Sequence, residues 1–487
     1  MKSSVVFVNP GVNADRNLGL AKRFAVKVPP LGIAYLAATL RDRGDHVHVY
    51  DQFAQELSDD ELIRRVTSHR PDVVAFNVLT ASASRTRRVC ETLRQANPRL
   101  KVVLGNIHAS IFHDRILQAG WADVVVHGEG EPILPAVVDA LRGRGDLASV
   151  PGVSFLDAGQ VRATPRSPQI RDLDAIPLPA WERFDLEAYR THTILSYGKR
   201  ILPVITSRGC PWKCEFCSQN HFWPQVYMRD PDRVADEIRI DHERFGAEHI
   251  TFHDANFPVS KRYGLEVCAA LRRLGLHRKV TFVTEARMEV FDEELIAELA
   301  RTGFVALMFG IESGSEGIRG TVHKTFTNRR IHEIVGYCRK YGLHTMGLFL
   351  VGLPGETRES IQETIDLACS LPLDLAKFNV VVPYPGSALF DRLPNRDTMD
   401  EAVFDRIATF YSNGFDAVTV NENLTHAEID RLQKKALLSF YLRPVASLRL
   451  ALRGPLSPGD IAVGGAALVT SLARDLAERL TARLGIR

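Results

Sequence analysis

The sequence predicts an α/β protein with two successive series of strands and helices, followed by a helical C-terminal region. Residues 1–145 and residues 201–390 both alternate short apolar runs with amphipathic stretches of helical periodicity. In the first series, for example, "VVFVN" is followed by "LGIAYLAATLRDRG". Continuous apolar strands connected by helices are typical of a parallel sheet that is covered on both faces. Residues 1–145 therefore predict a doubly wound, Rossmann-like domain.

The strand ends of this first domain are small, polar and rich in glycine. In open parallel sheets, ligands bind outside the carboxyl ends of the strands. Glycine at such an end admits a large ligand because it has no side chain. The alternative is that these glycines only form the turns between strands and helices. The candidate ligand-binding residues at these ends are Thr80, Ser82, Gly105, Asn106, His108, Gly128 and Glu129.

The rest of the chain divides into three parts. Residues 146–200 contain "VSFLDAGQVRATP", which predicts a hairpin turning at Ala158-Gly159, and then a linker that contains prolines. Residues 201–390 contain six strand-like runs. Six runs are too few for a closed eight-stranded barrel and indicate an open, partial (β/α)6 barrel. Residues 391–487 lose the alternation and have a helical pattern.

The composition limits the expected partners and compartment. A formal net charge of +3 is too small to indicate nucleic acid as a partner. We expect no signal peptide and no transmembrane segment, since no apolar run reaches the roughly 18 residues that a span needs. Seven cysteines without a pairing pattern favour a cytoplasmic, thiol-reducing location.

The end of the chain is basic. From Arg431 to Arg487 there are ten Lys or Arg residues and three Asp or Glu residues. A solvated helical tail is the favoured interpretation. The alternative is a peripheral contact with a membrane or an apolar substrate pool, made by basic amphipathic helices.

Three of the seven cysteines lie within eight residues. Cys210, Cys214 and Cys217 occur in "TSRGCPWKCEFCSQ", directly after a predicted strand. A structural zinc site needs four ligands, and a redox CxxC pair leaves Cys210 without a role. A cubane 4Fe-4S cluster takes one thiolate per iron, so three thiolates leave one iron open to an exogenous ligand. The other four cysteines are isolated and have the pattern of small buried residues.

The CxxxCxxC spacing, with an aromatic residue before its last cysteine, resembles the signature of the radical S-adenosylmethionine superfamily. Further matches follow in order at later strand ends, in "TEARM", "FGIESGS", "FLVGLPGET" and "VVPYPGSALF". Taken singly, each is also an ordinary loop or helix start. The resemblance implies a 4Fe-4S cluster on the three cysteines, with S-adenosyl-L-methionine on the fourth iron. It also implies contacts to that cofactor from Phe216, Glu285, Arg287, Glu312, Ser313, Gly352 and Pro354.

The complete layout is similar to the cobalamin-binding (B12-binding) subclass of this superfamily, whose members are methyltransferase-like. There a cobalamin-binding domain precedes the barrel, with a helix like "PPLGIAYLAATLRDRG" near its start and "GEGE" near its end. The Asp-x-His-x-x-Gly motif, whose histidine binds cobalt in classical cobalamin proteins, is absent, and His108 in "GNIHAS" is the nearest histidine. The resemblance thus implies cobalamin whose lower axial face carries water or no ligand.

The activity implied by this resemblance is C-methylation of a small-molecule substrate, in secondary-metabolite or lipid biosynthesis. An external electron donor of the flavodoxin or ferredoxin type reduces the cluster, and a 5′-deoxyadenosyl radical then abstracts hydrogen from an unactivated carbon. Methylcobalamin delivers the methyl group. One alternative is an oxidative cyclase or oxidoreductase of the same subclass, without methyl transfer. The other is a non-catalytic protein that binds an iron–sulfur cluster or cobalamin. No pattern identifies a catalytic side chain.

Overall fold

The computed structural model describes residues 2–12, 27–190, 199–394, 396–399, 403–404 and 419–443. In these residues the chain forms two mainly parallel sheets, each covered by helices, and the predicted fold class is confirmed. The first sheet has seven strands in the order β2-β1-β3-β4-β5-β6-β7. They are β1 (Ser4–Asn9), β2 (His46–Asp51), β3 (Val73–Asn77), β4 (Lys101–Gly105), β5 (Val124–Val126), β6 (Val153–Asp157) and β7 (Gln160–Ala163).

Helices cover both faces of this sheet because its strands are apolar on both sides. In β1, Val5 and Phe7 belong to one hydrophobic cluster, whereas Val6 and Val8 belong to the cluster on the opposite face. This is the alternation expected for a buried parallel strand. The helices are α1 (Leu31–Asp42), α2 (Asp59–Ser68), α3 (Ala83–Ala96), α4 (Ile107–Ile111), α5 (His113–Gln118) and α6 (Leu134–Leu141).

The predicted hairpin is present between β6 and β7. Ala158 and Gly159 both have positive φ, 48° and 81°, which is the geometry of a two-residue turn whose twist matches the strands. Strand β6 pairs antiparallel with β5, so the hairpin extends the N-terminal sheet.

The second sheet consists of six parallel strands in the order β15-β14-β13-β12-β11-β8 and forms the predicted partial barrel. A short antiparallel pair, β9 with β10, lies beside it. The strands are β8 (Ile201–Val204), β9 (Ser207–Arg208), β10 (Tyr227–Met228), β11 (His249–Phe252), β12 (Thr281–Ala286), β13 (Phe304–Glu312), β14 (His344–Val351) and β15 (Leu375–Val380).

Helices alternate with these strands and cover the outside of the barrel, where they share one hydrophobic cluster with the strands. They are α7 (Gln219–Phe222), α8 (Pro231–Phe245), α9 (Lys261–Arg273), α10 (Glu293–Thr302), α11 (Glu316–Thr321), α12 (Asn328–Lys340), α13 (Arg358–Ser370), α14 (Ala388–Asp391) and α15 (His426–Tyr441).

Helix α15 is the longest element that the structure describes in the C-terminal region. Its Phe440 is fully buried, with its ring centroid 6.5 Å from that of Phe378 on β15. Most of the predicted basic tail lies outside the described residues. No helix in the described part of the chain is long and apolar enough to cross a membrane.

Helix α1 joins the two sheets. Its Leu31, Ala34 and Tyr35 are buried in the hydrophobic cluster of the barrel, whereas Ile33 and Ala37 are buried in that of the N-terminal domain. One helix therefore contributes to two cores, which explains why it is almost entirely apolar. The contact fixes the N-terminal strand ends relative to the barrel.

Candidate functional site

The three cysteines lie on the loop between β9 and α7, and all three are partly buried. The main-chain N–H of Cys217 donates to the carbonyl of Cys214 at 3.1 Å, so the loop turns tightly. Burial raises the pKa of the Cys210 and Cys217 thiols. No group of three or more His, Cys, Asp or Glu side chains in the described residues surrounds a single ion position. Three cysteine thiols on one loop are the donor set of a cubane cluster, in which each thiolate binds its own iron.

The loop begins in a tightly constrained segment. Gly209 has a φ of 94°, and a Cβ there would lie 2.1 Å from the carbonyl oxygen of Gln225. The hydroxyls of Thr206 and Ser207 donate to the buried carboxylate of Asp254 at 2.8 and 2.6 Å. Burial raises the pKa of Asp254 to about 6, although the hydrogen bonds lower it. These contacts hold the start of the cysteine loop against strand β11.

A buried ion pair connects this loop to the N-terminal domain. Arg208 donates to Glu129 at 2.7 Å and to Glu131 at 2.5 Å, and its side chain is 7% exposed. Glu129 also accepts from the indole of Trp223 at 3.2 Å and from the main-chain N–H of Ile170. Burial by itself would lower the pKa of Arg208, but the carboxylates of Glu129 and Glu131 have the larger combined effect. The net result is a raised pKa.

The sequence predicts Glu129 at a ligand-binding strand end. In the structure its carboxylate accepts hydrogen bonds from three protein donors. Its position next to Arg208 makes it a residue of the domain contact. Sequence reasoning missed Arg208, although a cation directly before a glycine and three cysteines was a usable signal.

Arg287 lies directly against the cysteine loop. Its Nη1 is 2.7 Å from Sγ of Cys214, and its guanidinium carbon is 4.4 Å from the ring centroid of Trp212. Its Nη2 donates to Glu289 at 2.5 Å and to the carbonyl of His323 at 3.1 Å. The side chain predicted to contact S-adenosylmethionine therefore contacts the thiol of Cys214.

Glu285 points into the barrel. Its neighbours on β12, Phe282 and Ala286, pack into the outer hydrophobic cluster, so Glu285 faces the opposite side of the sheet. Burial raises the pKa of its carboxyl, the cation Lys377 lowers it, and the nearby carboxylate of Glu312 raises it. The interior of the barrel thus holds a carboxyl group and an ammonium group on separate strands.

Glu312 lies at the end of β13 with a φ of 66°, a conformation that non-glycine residues seldom adopt. Its carboxylate accepts from Nζ of Lys324 at 2.6 Å, and both side chains are buried. The ammonium of Lys324 also donates to the carbonyl of Gly310 at 2.7 Å. The pair holds a carboxylate at the mouth of the barrel.

Ser313 supports a loop. Its hydroxyl lies 3.2 Å from that of Thr364 and 3.5 Å from Glu356, and its side chain is fully buried. Glu356 accepts from the main-chain N–H groups of Gly352 and Leu353 at 2.7 and 2.9 Å. Burial raises the pKa of Glu356 to about 7.

The loop after β14 therefore rests on a buried carboxyl group that sequence reasoning missed, Glu356. Gly352 has a φ of 92°, and Pro354 follows it on the partly exposed side of the loop. Phe216 of the cysteine loop packs against Val322, Leu353 and Leu389, which follow three different barrel strands. The aromatic residue thereby fastens the cysteine loop to the mouth of the barrel.

The ends of the N-terminal strands form an amide network. The side chain of Asn106 donates to that of Asn77 at 2.6 Å, which in turn donates to that of Asn9 at 3.0 Å. No described atom lies within 4 Å of the position that a Cβ on Gly128 would take. For Gly105, the nearest described atom to that position is the carbonyl oxygen of Val126, at 4.0 Å. Open space therefore lies beside these glycines.

Thr80 and Ser82 lie at the helical turn after β3, and both are buried. The hydroxyl of Ser82 exchanges hydrogen bonds with the main chain of Leu79, at 3.2 and 3.1 Å. Ser82 thus caps the turn. The side chain of Leu79 itself is 44% exposed.

His108 is fully buried between aromatic rings. Its ring centroid lies 4.7 Å from that of Phe112 and 5.2 Å from that of Phe404. Burial lowers its pKa to about 3, so the ring is neutral, and neither ring nitrogen has a partner in the described residues. The sequence predicts His108 at the ligand-binding edge, and in the structure its ring packs between Phe112 and Phe404.

A cavity of about 240 Å³ lies beside Gly128, between the hairpin and α7. Three histidines, His113, His127 and His221, contribute to its lining. The rings of His113 and His127 are 5.0 Å apart, and burial lowers the pKa of His127 to about 4. The cavity is therefore lined by three imidazole rings and the guanidinium of Arg166, next to the open strand end.

Comparison with known proteins assigns two regions of the chain. Residues 204–368 match the Radical SAM superfamily, and residues 18–138 match the B12 binding domain. An uncharacterised methyltransferase of Pyrococcus horikoshii is 30% identical over 418 residues, covering 85% of this chain and 88% of its own. The anaerobic magnesium-protoporphyrin IX monomethyl ester cyclase of Rubrivivax gelatinosus is 29% identical over 404 residues, covering 80% and 70%.

Solved structures share the fold. The radical S-adenosylmethionine methyltransferase TsrM of Kitasatospora setae has a TM-score of 0.65 at 20% identity, covering 79% of this chain and 75% of its own. The two matched family names include S-adenosylmethionine and cobalamin (B12). A second TsrM structure, with cobalamin and a [4Fe-4S] cluster bound, has a TM-score of 0.63 at 19% identity and covers 80% of this chain and 77% of its own. Because both regions occur together and the archaeal relative aligns over most of its length, the chain belongs to the cobalamin-binding radical S-adenosylmethionine enzymes.

Proposed function

We propose that the protein is a C-methyltransferase that acts on an unactivated carbon of a small-molecule substrate. The observation that carries the proposal is the buried contact of Arg208 with Glu129, which connects the cysteine loop to the end of strand β5. It places the cysteine loop at the barrel mouth next to the open strand ends of the N-terminal domain. The name of the archaeal relative, a methyltransferase at 30% identity, supports the same activity.

The residues that would hold the cofactors follow from this geometry. Cys210, Cys214 and Cys217 would bind the 4Fe-4S cluster, and Glu312 with the loop at Gly352 and Pro354 would hold S-adenosylmethionine. Cobalamin would lie on the N-terminal strand ends, beside Gly128, where no described atom lies within 4 Å of a Cβ position and a cavity of about 240 Å³ opens. When bound, these cofactors supply a carbon-centred radical and a methyl group. The cobalamin-facing residues would be Thr80, Gly105, Asn106 and Gly128.

The side chains of this chain would position the substrate and exclude water. Glu285 and Lys377 lie in the interior of the barrel. The carboxylate of Glu285 can accept hydrogen bonds from polar groups of a substrate, and the ammonium of Lys377 can donate hydrogen bonds to them. Burial raises the pKa of the Glu285 carboxyl and lowers the pKa of the Lys377 ammonium. A site enclosed between two domains also protects a radical from solvent.

A second candidate function is oxidation without methyl transfer. It is favoured by the cyclase of Rubrivivax gelatinosus, which aligns with 80% of this chain at 29% identity. The two activities would use the same cysteine loop and the same barrel. They differ in the mass of the product, which gains one methyl group in the first case and loses hydrogen or gains oxygen in the second.

The test is anaerobic reconstitution of the full chain with iron, sulfide and cobalamin, followed by reduction with flavodoxin or dithionite. We expect formation of 5′-deoxyadenosine and a methylated product from a panel of small molecules. Replacement of Cys210, Cys214 and Cys217 by alanine should abolish both iron binding and 5′-deoxyadenosine formation. Full iron content in that variant would refute the assignment, and an oxidised product would favour the second candidate.

A further inference from the structure

We propose that Arg287 is a positioning residue that sets the reduction potential of the iron–sulfur cluster through a hydrogen bond to the thiolate of Cys214. The inference rests on the proposed assignment of the three cysteines as cluster ligands. It assigns Arg287 a role different from the contact to S-adenosylmethionine that its sequence context suggested.

The three thiols have unequal partners. The sulfur of Cys210 accepts a hydrogen bond from the main-chain N–H of Trp212, and the sulfur of Cys217 accepts one from the main-chain N–H of Gln219. Cys214 instead lies 2.7 Å from a nitrogen of the Arg287 guanidinium. A charged donor makes a stronger hydrogen bond than a neutral amide, and Cys214 is the thiol of the three to which the structure gives a charged donor.

The guanidinium is held in place on several sides. Its other terminal nitrogen donates to Glu289 and to the carbonyl of His323, and the ring of Trp212 covers its face. The main-chain N–H of Arg287 donates to Oδ1 of Asn256 at 2.8 Å, directly after strand β12. These contacts leave the side chain 7% exposed and fix the direction of its bond to sulfur.

The physical consequence concerns the reduced state of the cluster. Adding one electron to a cluster increases the negative charge on its sulfur ligands. Hydrogen bonds to the sulfurs therefore stabilise the reduced form more than the oxidised form and raise the potential. Glu289 offsets part of the positive charge of Arg287, but the N–H group aimed at Cys214 remains. Trp212 keeps water from this bond, which strengthens its effect.

The experiment uses the reconstituted full chain and two variants, Arg287→Met and Arg287→Lys. Arg287→Met removes both the positive charge and the N–H groups that donate to Cys214. Arg287→Lys keeps the charge but replaces the planar guanidinium, with its several N–H groups, by a single ammonium group. Arg262→Met is the matched control, since Arg262 is 88% exposed on helix α9. Iron and sulfide content are measured first, and the reduced cluster is then quantified by electron paramagnetic resonance over a series of dithionite-set potentials.

We expect Arg287→Met to retain iron and to be reduced with an equilibrium constant about tenfold smaller, which for a one-electron couple corresponds to about 59 mV. Arg287→Lys should shift less in the same direction, and Arg262→Met should match the wild type. An unchanged potential in an iron-replete Arg287→Met variant would overturn the proposal. Loss of iron from both Arg287 variants would also overturn it, because Arg287 would then be needed for cluster assembly. Absence of a cluster in the wild type would instead refute the cysteine assignment itself.

Discussion

The guanidinium of Arg208 lies 2.7 Å from the carboxylate of Glu129, and this buried ion pair links the cysteine loop to the end of strand β5. Arg208 precedes the first cysteine by two residues, and Glu129 follows the open space at Gly128 by one. The contact thus connects the two regions that bind different cofactors. Any change in this pair should alter the distance between them.

Replacement of Arg208 by methionine would leave Glu129 and Glu131 buried without their cation. An uncompensated buried charge of this kind costs about 3–5 kcal/mol, so we expect a loss of that order in the free energy of unfolding. Urea denaturation followed by circular dichroism measures it. Arg162→Met is the control, because Arg162 and Asp157 form a half-exposed pair worth about 0–1 kcal/mol. Equal losses in the two variants would show that the interdomain pair has no special role.

Replacement of Gly209 by alanine should disrupt the cysteine loop. The added Cβ would lie 2.1 Å from the carbonyl oxygen of Gln225, and the φ of 94° is unfavourable for alanine. We expect the reconstituted variant to lose most of its bound iron, measured colorimetrically. Gly159→Ala is the control, because Gly159 also has a positive φ, 81°, but no described atom lies within 4 Å of its Cβ position. Its effect therefore measures the backbone strain without the steric clash. Full iron content in Gly209→Ala would contradict the loop geometry.

Glu356 should give the protein a pH-dependent stability. Burial raises the pKa of its carboxyl to about 7 in the folded state, above its ordinary value of 4.5. The folded state therefore binds the proton of Glu356 more tightly than the unfolded state does. The stability that this proton contributes is present at low pH and is lost as the pH rises through about 7. Relative to Glu356→Gln, the wild-type free energy of unfolding should fall by on the order of 3 kcal/mol between about pH 5 and about pH 8.

The comparison with Glu356→Gln isolates this group. Asp254, whose pKa is also raised by burial, to about 6, titrates in both proteins and cancels in the difference. Thermal or chemical unfolding of the two proteins at each pH provides the measurement. A difference that rises with pH would mean that the main-chain N–H groups of Gly352 and Leu353 outweigh burial.

Replacement of Glu312 by glutamine should weaken the binding of S-adenosylmethionine to the reconstituted protein. Loss of a charged hydrogen-bond acceptor costs about 1.5–3 kcal/mol, which is a tenfold or greater increase in Kd. Equilibrium dialysis measures the affinity without any substrate. Glu359→Gln, on the exposed first turn of α13, should leave the affinity unchanged. Unchanged affinity in Glu312→Gln would remove Glu312 from the proposed cofactor site.

The interior of the site is where sequence reasoning was least complete. The pattern at the strand ends predicts Glu129 and His108 as ligand-binding candidates. In the structure the carboxylate of Glu129 binds Arg208, and the ring of His108 packs between Phe112 and Phe404. Strand-end position indicates only that a residue is near the ligand edge. Which way its side chain points depends on residues that are distant in the chain.

The sequence by itself determined the fold class, the partial barrel, the hairpin turn at Ala158 and Gly159, and the three cysteines. These features are local, since periodicity, turn residues and motif spacing are properties of neighbouring positions. Only the tertiary structure decided the pairing of Arg208 with Glu129, and the contact of Arg287 with Cys214 across 73 positions. Such partners meet because burial makes an unpaired charge costly, and the fold alone decides which opposite or polar group is within reach.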